Sequence, residues 1–559
     1  MVAVHNLVVS TSQSWWRHAV TYQVYLRSFA DGDGDGIGDI AGLRSRLPYL
    51  RSLGVDAIWI NPWYESPLND GGYDVADYRS IDPRFGTLDE AGRLLKEAGD
   101  LGLRVLLDLV PNHTSSEHVW FREALASAAG SPARRRYHFR PGTGADSGDP
   151  PTDWKSVFGG PAWTRAADGE WFLHLFDPTQ PDLNWANEEV QAEFRDIIRF
   201  WLDRGANGFR VDVANGLVKD PSYPDVGDER ESLLLAHDGD DHPFWDREGI
   251  HDIVRGWRAV VDEYPGSVLV AEAWVRSWAQ LARYLRPGEY HQAFEFQFML
   301  SPWDRDMMRD TVEAALNGAA AVGAVPTWVL SNHDVMRHST RYGLPQGVDP
   351  KAWLLDGDRS LLDPELGLRR ARAATLFMLA LPGSAYLYQG EELGLPEVHD
   401  LPLDVLDDPV WRRSGHTEKG RDGCRVPIPW TIEGASFGFG PHGSWLPQPP
   451  EWGRLSVEAG DGVEDSTLEL YRKALRLRAE HLARAGSFEW VDSGPGAIEF
   501  RRDGVTVVLN FGSGPVPIPE GEVLISSSVI EDRRLPSDTA VWLATDAKRK
   551  HGVTAGKQI

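Results

Sequence analysis

The sequence predicts a (β/α)8 barrel that carries an inserted small domain after its third strand and a C-terminal antiparallel β-domain. Three observations lead there. Short β-branched or aromatic runs occur eight times, and amphipathic stretches of helical period lie between them. Several of those runs also end in ionisable residues, as barrel strands do at the face where side chains converge. A doubly wound parallel sheet is the alternative, but no G-x-G-x-x-G follows the first run.

The runs occupy residues 19–29, 56–63, 104–110, 208–214, 268–274, 293–298, 327–334 and 385–392, and helical candidates fill 40–54, 88–102, 189–205 and 366–381. Several helices stop at a glycine, which suits the left-handed C-terminal position. The barrel is therefore expected over 15–111 and 182–480. Residues 112–181 are weakly periodic and contain Gly, Pro, Asp and Trp, which reads as an inserted domain. A second excursion, 393–460, follows the eighth run. Alternation and turn signals over 481–547 predict the β-domain, and 548–559 reads as a flexible, solvated tail.

Composition narrows the function. Asp and Glu number 83 against 57 Lys and Arg, a net charge of −26, which argues against nucleic acid or an anionic membrane surface as partner. The single cysteine, Cys424, excludes a disulfide framework within the chain. No stretch approaches the ~18 apolar residues of a membrane span, and the first twenty residues lack a basic segment followed by a continuous apolar one. The expectation is a cytoplasmic protein. Its 23 tryptophans offer faces for stacking on sugar rings, besides filling cores.

The fourth run, GFRVDVAN at 208–215, places Arg210 and Asp212 two apart, hence on one face of a strand. Alone, such a pair reads as a buried ion pair. The third run, however, leads to Asn112 and His113, the fifth to Glu272, and the seventh to Asn332, His333 and Asp334. Three carboxylates with flanking His and Arg, and no nucleophilic Ser or Cys arrangement, suit glycoside hydrolysis, which needs one ionised and one protonated carboxyl. Asp212 beside Arg210 is expected to stay ionised. Glu272, in VAEAW with apolar neighbours and no adjacent cation, is expected to be the acid.

In this order, DLVPNH, GFRVDVAN, VAEAW and VLSNHD resemble the four signature regions of the α-amylase superfamily, glycoside hydrolase family thirteen, over about residues 15–480. QPDLNW at 180–185 resembles the fifth region in its α-glucosidase and oligo-1,6-glucosidase form. The resemblance implies Asp212 as nucleophile, Glu272 as general acid/base and Asp334 as the carboxylate that distorts and holds the sugar. It implies His113, Arg210 and His333 as the polar wall of the glucosyl site, with Phe176 and Gln180 lining it. NDGGYD at 69–74 and CRVPIPW at 424–430 resemble two further motifs, which implies Asp70 and Tyr73 at the closed end of the pocket and Arg425 paired with Asp70. This chain departs from those motifs at Gly71, Cys424, Val426, Ile428 and Pro429.

DGDGDGIGDIAG at 31–42 has Asp at alternating positions, but Gly42 stands where an EF-hand needs an acidic residue. The resemblance implies a structural Ca2+ on Asp31, Asp33, Asp35, the Ile37 carbonyl and Asp39. Hard oxygen ligands suit Ca2+ or Mg2+, and the alternative is a solvated acidic turn. His113 and His118 do not form H-E-x-x-H, and no thiolate cluster exists, so zinc is not expected.

The sequence thus points to a retaining, exo-acting α-glucosidase on short maltooligosaccharides or related α-glucosides, with an oligosaccharide or disaccharide as its small-molecule partner. Two alternatives share its chemistry. Val213, directly after the nucleophile, is associated in the resembled family with α-1,6 linkages. A transglucosylase or an isomerase making trehalose or sucrose isomers would use the same glucosyl-enzyme. A non-catalytic sugar-binding homologue is disfavoured by the presence of all three carboxylates.

Overall fold

The computed structural model describes residues 14–227, 242–482 and 486–544, and the expected tail at 548–559 lies outside them. Eight strands form one sheet: β1 (Val20–Val24), β2 (Ala57–Ile60), β3 (Arg104–Leu109), β4 (Gly208–Val211), β5 (Val268–Ala271), β6 (Gln292–Ala293), β7 (Thr327–Val329) and β8 (Ser384–Tyr388). Every neighbouring pair is parallel, and β8 returns to pair with β1. Between β6 and β7 a parallel bridge from Phe294 to Thr327 completes the ring, with the Glu295 amide donating to the Thr327 carbonyl at 2.9 Å.

Helices alternate with these strands because their ends and faces are written locally. The helix Ile40–Leu53 starts at Asp39, whose carboxylate accepts from the Gly42 amide, and ends at Gly54 in the left-handed region (φ 99°). Thr87 and Glu90 form a reciprocal capping box on Leu88–Asp100, and that helix buries Ala91, Leu94, Leu95 and Ala98, a spacing of one helical face.

The sixth run departs from expectation. Only Gln292 and Ala293 are strand, and Phe296–Leu300 is a short helix. Alternating aromatics signal a strand, but packing takes them elsewhere: Phe296 stacks on Trp274 at 3.9 Å, and Phe298 meets the Trp328 ring edge-on at 5.1 Å.

Between β3 and β4 stands a three-stranded antiparallel sheet of Phe139–Pro141, Trp163–Arg165 and Glu170–Leu173. Bridges from His113 to Asp182 and from Tyr137 to Leu183 tie its ends together at the barrel mouth. After the helix Thr467–His481, a five-stranded antiparallel sheet spans Phe488 to Ala544. It rests on the helix Pro364–Ala380, with the Trp542 indole donating to the Leu376 carbonyl at 3.0 Å. Among the described residues, no helix is long and apolar enough to cross a membrane.

Candidate active site

Arg210, on β4, organises the polar centre. It is 1% exposed, and its guanidinium reaches three carboxylates: Nη1 to Asp108 at 2.9 Å, Nη1 to Asp212 at 2.5 Å and Nη2 to Glu272 at 2.9 Å. Strand register explains the convergence, since Asp108 on β3 lies opposite Arg210 and Val270 on β5 lies on its other side. The expectation that Glu272 has no adjacent cation is therefore incorrect. Its cation comes from the neighbouring strand, which sequence adjacency does not reveal. Glu272 also accepts from the Val213 amide (2.9 Å) and the Trp274 indole (3.0 Å). Val213 takes φ 45°, unusual for a β-branched residue, where the chain turns between Asp212 and its next bonds.

Asp334 lies beyond β7. Its Oδ1 accepts from Arg421 at 3.0 Å and Arg425 at 3.2 Å, while His333 Nε2 stands 3.3 Å from Oδ2. His333 Nδ1 is 2.7 Å from Gln23 Nε2, and its ring stacks on Tyr73 at 5.3 Å. Tyr73 donates to Asp108 at 2.9 Å, and so does Trp59 at 3.0 Å.

Asp70, expected at the closed end of the pocket, does not pair with Arg425. Arg421 Nη2 donates to Asp70 Oδ1 at 2.7 Å, and Arg421 Nε holds Asp408 at 2.6 Å. Arg425 instead donates to the His333 carbonyl (2.9 Å) and to Asp334. The segment makes a tight turn over Asp422–Cys424, which sends the two arginines to different partners. Gln180 Nε2 lies 3.1 Å from both Asp70 Oδ2 and His113 Nε2, and Phe176 packs on His113 at 5.1 Å. All the expected catalytic and sugar-lining residues thus gather in one place.

Burial shapes the electrostatics. It pushes the Asp212 carboxyl well above its ordinary range against the pull of Arg210, and Glu272, Asp108 and Asp334 add to the rise. The expectation that Arg210 holds Asp212 down fails because burial outweighs its pull, and the neighbouring carboxylates share the same guanidinium. Burial likewise lifts Asp108 to about 6 despite Arg210, Tyr73 and Trp59. For Asp334, burial is outweighed by His333, Arg421, Arg425 and Arg210, which hold it well below the usual range. Burial lowers His113 to about 4, so that ring stays neutral near pH 7, and burial also draws His333 below its ordinary value against the pull of Asp334.

The acidic loop stands apart. Asp31, Asp33 and Asp39 each bring a carboxylate oxygen within 4.8 Å of the others. Asp35 does not join them, and its Oδ1 accepts from the Ile37 amide at 2.8 Å. Three oxygen donors without a Lys or Arg ion pair among the described residues are a donor set that fits a hard divalent cation.

Sequence reasoning missed Asp108 and Arg421. Asp108 opens the DLVPNH motif but sits inside an apolar run. Arg421 is a second arginine four residues before Arg425. Glu391 and Glu392 face away from this centre: Tyr388 donates its amide to Glu391, while the hydroxyls of Tyr22 and Tyr49 each donate to Glu392 at 2.7 Å.

Comparison with known proteins agrees with this geometry. The family model for the α-amylase catalytic domain matches residues 23–486. The chain is 36% identical over 519 residues to a probable α-glucosidase of Rhizobium meliloti, covering 89% of this chain and 88% of that protein. It is 33% identical over 499 residues to an oligo-1,6-glucosidase of Parageobacillus thermoglucosidasius, covering 84% of this chain and 84% of that one. The crystal structure of an α-glucosyl transfer enzyme superposes with a TM-score of 0.80 at 34% identity, covering 95% of this chain and 99% of that one.

Proposed function

Because the chain belongs to the α-amylase family of glycoside hydrolases, we propose that it is a retaining, exo-acting α-glucosidase that releases glucose from the non-reducing end of short maltooligosaccharides or related α-glucosides. The observation that carries the exo reading is Arg421, which joins Asp70 to Asp334 and leaves a buried charged wall where a longer chain would have to continue.

In this reading Asp212 attacks the anomeric carbon as the glycosidic C–O bond breaks, and Glu272 passes its proton to the leaving oxygen. Glu272 is placed for this step by Arg210, the Val213 amide and the Trp274 indole, all of which hold its carboxyl beside Asp212. Glu272 then takes a proton from water, whose oxygen attacks the same carbon and frees Asp212. Asp334, kept ionised by two arginines, binds the sugar hydroxyls and stabilises positive charge as it develops on the ring. The same reading assigns Asp31, Asp33 and Asp39 to a structural Ca2+, with Mg2+ also compatible, away from the reacting atoms.

Likeness to the oligo-1,6-glucosidase and to the α-glucosyl transfer enzyme favours two variants of the reading, α-1,6 cleavage and transfer to a sugar acceptor. One product analysis tests all three. Maltose, isomaltose, sucrose and trehalose are supplied in turn, and the first-formed anomer and any new linkage are followed by NMR. α-Glucose as first product supports retention. β-Glucose, or cleavage inside long chains with maltose spared, overturns the proposal.

A further inference from the structure

A second pocket, of about 270 Å3, opens between the 155–160 loop and the 410–418 segment. Lys155, Lys351 and Arg413 line it with Ser414, Thr417 and Glu418. Three cations against one carboxylate is a local reversal of charge in a protein of net −26. Glu418 is committed to Lys351, 3.0 Å away.

Arg413 makes the reversal costly. Its guanidinium is half-buried, and burial draws its pKa down. Its Nε and Nη2 donate to the Gly159 carbonyl at 3.1 and 2.6 Å. Asp177 lends it a favourable charge, but among the described residues no carboxylate lies within 4.0 Å of it. A half-desolvated cation with no carboxylate in contact gains from an anion that reaches its remaining donors. The loop is built to come this close. Gly159 (φ 104°) and Gly160 (φ 77°) take left-handed conformations, and a Cβ on Gly160 would stand 3.3 Å from Arg413 Nη2.

We propose that this pocket binds a tetrahedral oxyanion, a phosphate group held by Lys155, Lys351 and Arg413. Ammonium and guanidinium donors at such a site give charge-assisted hydrogen bonds to phosphate oxygens. The site is distinct from the glucosyl pocket, although Phe158 belongs to both: it lines this cavity and turns its ring towards Arg421 at 5.2 Å.

Calorimetric titration of the full chain at low ionic strength tests the proposal, with inorganic phosphate in one arm and glucose 6-phosphate in the other. Saturable binding of inorganic phosphate is expected. It should weaken about tenfold or more in the double variant Lys155→Gln/Lys351→Gln, and measurably in Lys155→Gln alone. Tighter binding of glucose 6-phosphate would assign the phosphate to a sugar, and equal or weaker binding would assign it to the free ion. No saturable binding, an affinity unchanged in the double variant, or displacement of phosphate by glucose would each overturn the site.

Discussion

Arg421 donates to Asp70 across 2.7 Å, joining two residues 351 positions apart in the polar centre. The same guanidinium reaches Asp334 at 3.0 Å, so in the proposed reading the pair would couple a grip on the outer hydroxyls to the carboxylate beside the reacting sugar. Truncating one partner also leaves the other buried and unpaired, a loss on the order of 2–5 kcal/mol. Asp70→Ala and Arg421→Ala should each lower kcat/KM on maltose by roughly a hundredfold or more. Both kcat and KM should move, since remote binding also orients the reacting centre. Near-normal maltose kinetics in either variant would remove the clamp.

Asp108 shares Arg210 with Asp212, so its charge helps to lift the Asp212 carboxyl. Asp108→Asn removes that charge and frees the guanidinium for Asp212. The acid limb of kcat/KM, which reports ionisation of the nucleophile, should then move to lower pH. kcat should fall at the same time, because Arg210 loses one of the groups that aim it. A limb that stays put would mean that Asp108 acts through packing alone.

Glu391 gives a stability prediction with a definite sign. Burial pushes its carboxyl to about 8 in the folded chain, whereas an unfolded Glu titrates near about 4.3. Between those values the folded state holds the extra proton, so this group's contribution to stability is lost as pH rises from about 4.3 to about 8. Glu391→Gln stays neutral and removes that loss. Measured by thermal unfolding, the variant should gain on wild type as pH increases across this window. A difference independent of pH would show that Glu391 is not the titrating group.

The acidic loop makes a prediction about metal removal. If Asp31, Asp33 and Asp39 hold Ca2+, binding to the folded state raises its stability by mass action. Chelation should lower the Tm of wild type and of Asp35→Ala, but have little effect on Asp33→Asn. The contrast rests on position, since Asp33 belongs to the oxygen cluster and Asp35 does not. Equal responses in all three proteins would make the loop an ordinary turn.

What the sequence disclosed follows the strand period. Arg210 and Asp212 announce themselves as alternate residues on one run, and Glu272 and Asp334 extend the same kind of strand end. Register between strands is another matter. It sets Asp108 opposite Arg210 and brings Arg210 to Glu272, and no spacing along the chain encodes either contact. Arg421 and Arg425 lie in an irregular segment without a period to aim them, so only the folded path distinguishes which one meets Asp70. The 293–298 run misleads for a related reason: its alternating aromatics fit a strand, but Trp274 and Trp328 draw them into a helix.

The pairing of Val20 with Ala385 has a consequence for how the chain is made. At roughly 5–20 residues per second, the ribosome needs on the order of 20–70 s to deliver β8 after β1 has emerged. Until then one edge of β1 has no partner, and an open strand edge is a template for wrong pairing. Ending translation before residue 384 would leave the ring broken rather than give a smaller barrel. Throughout that interval a newly made chain carries an open parallel edge that the finished ring does not have.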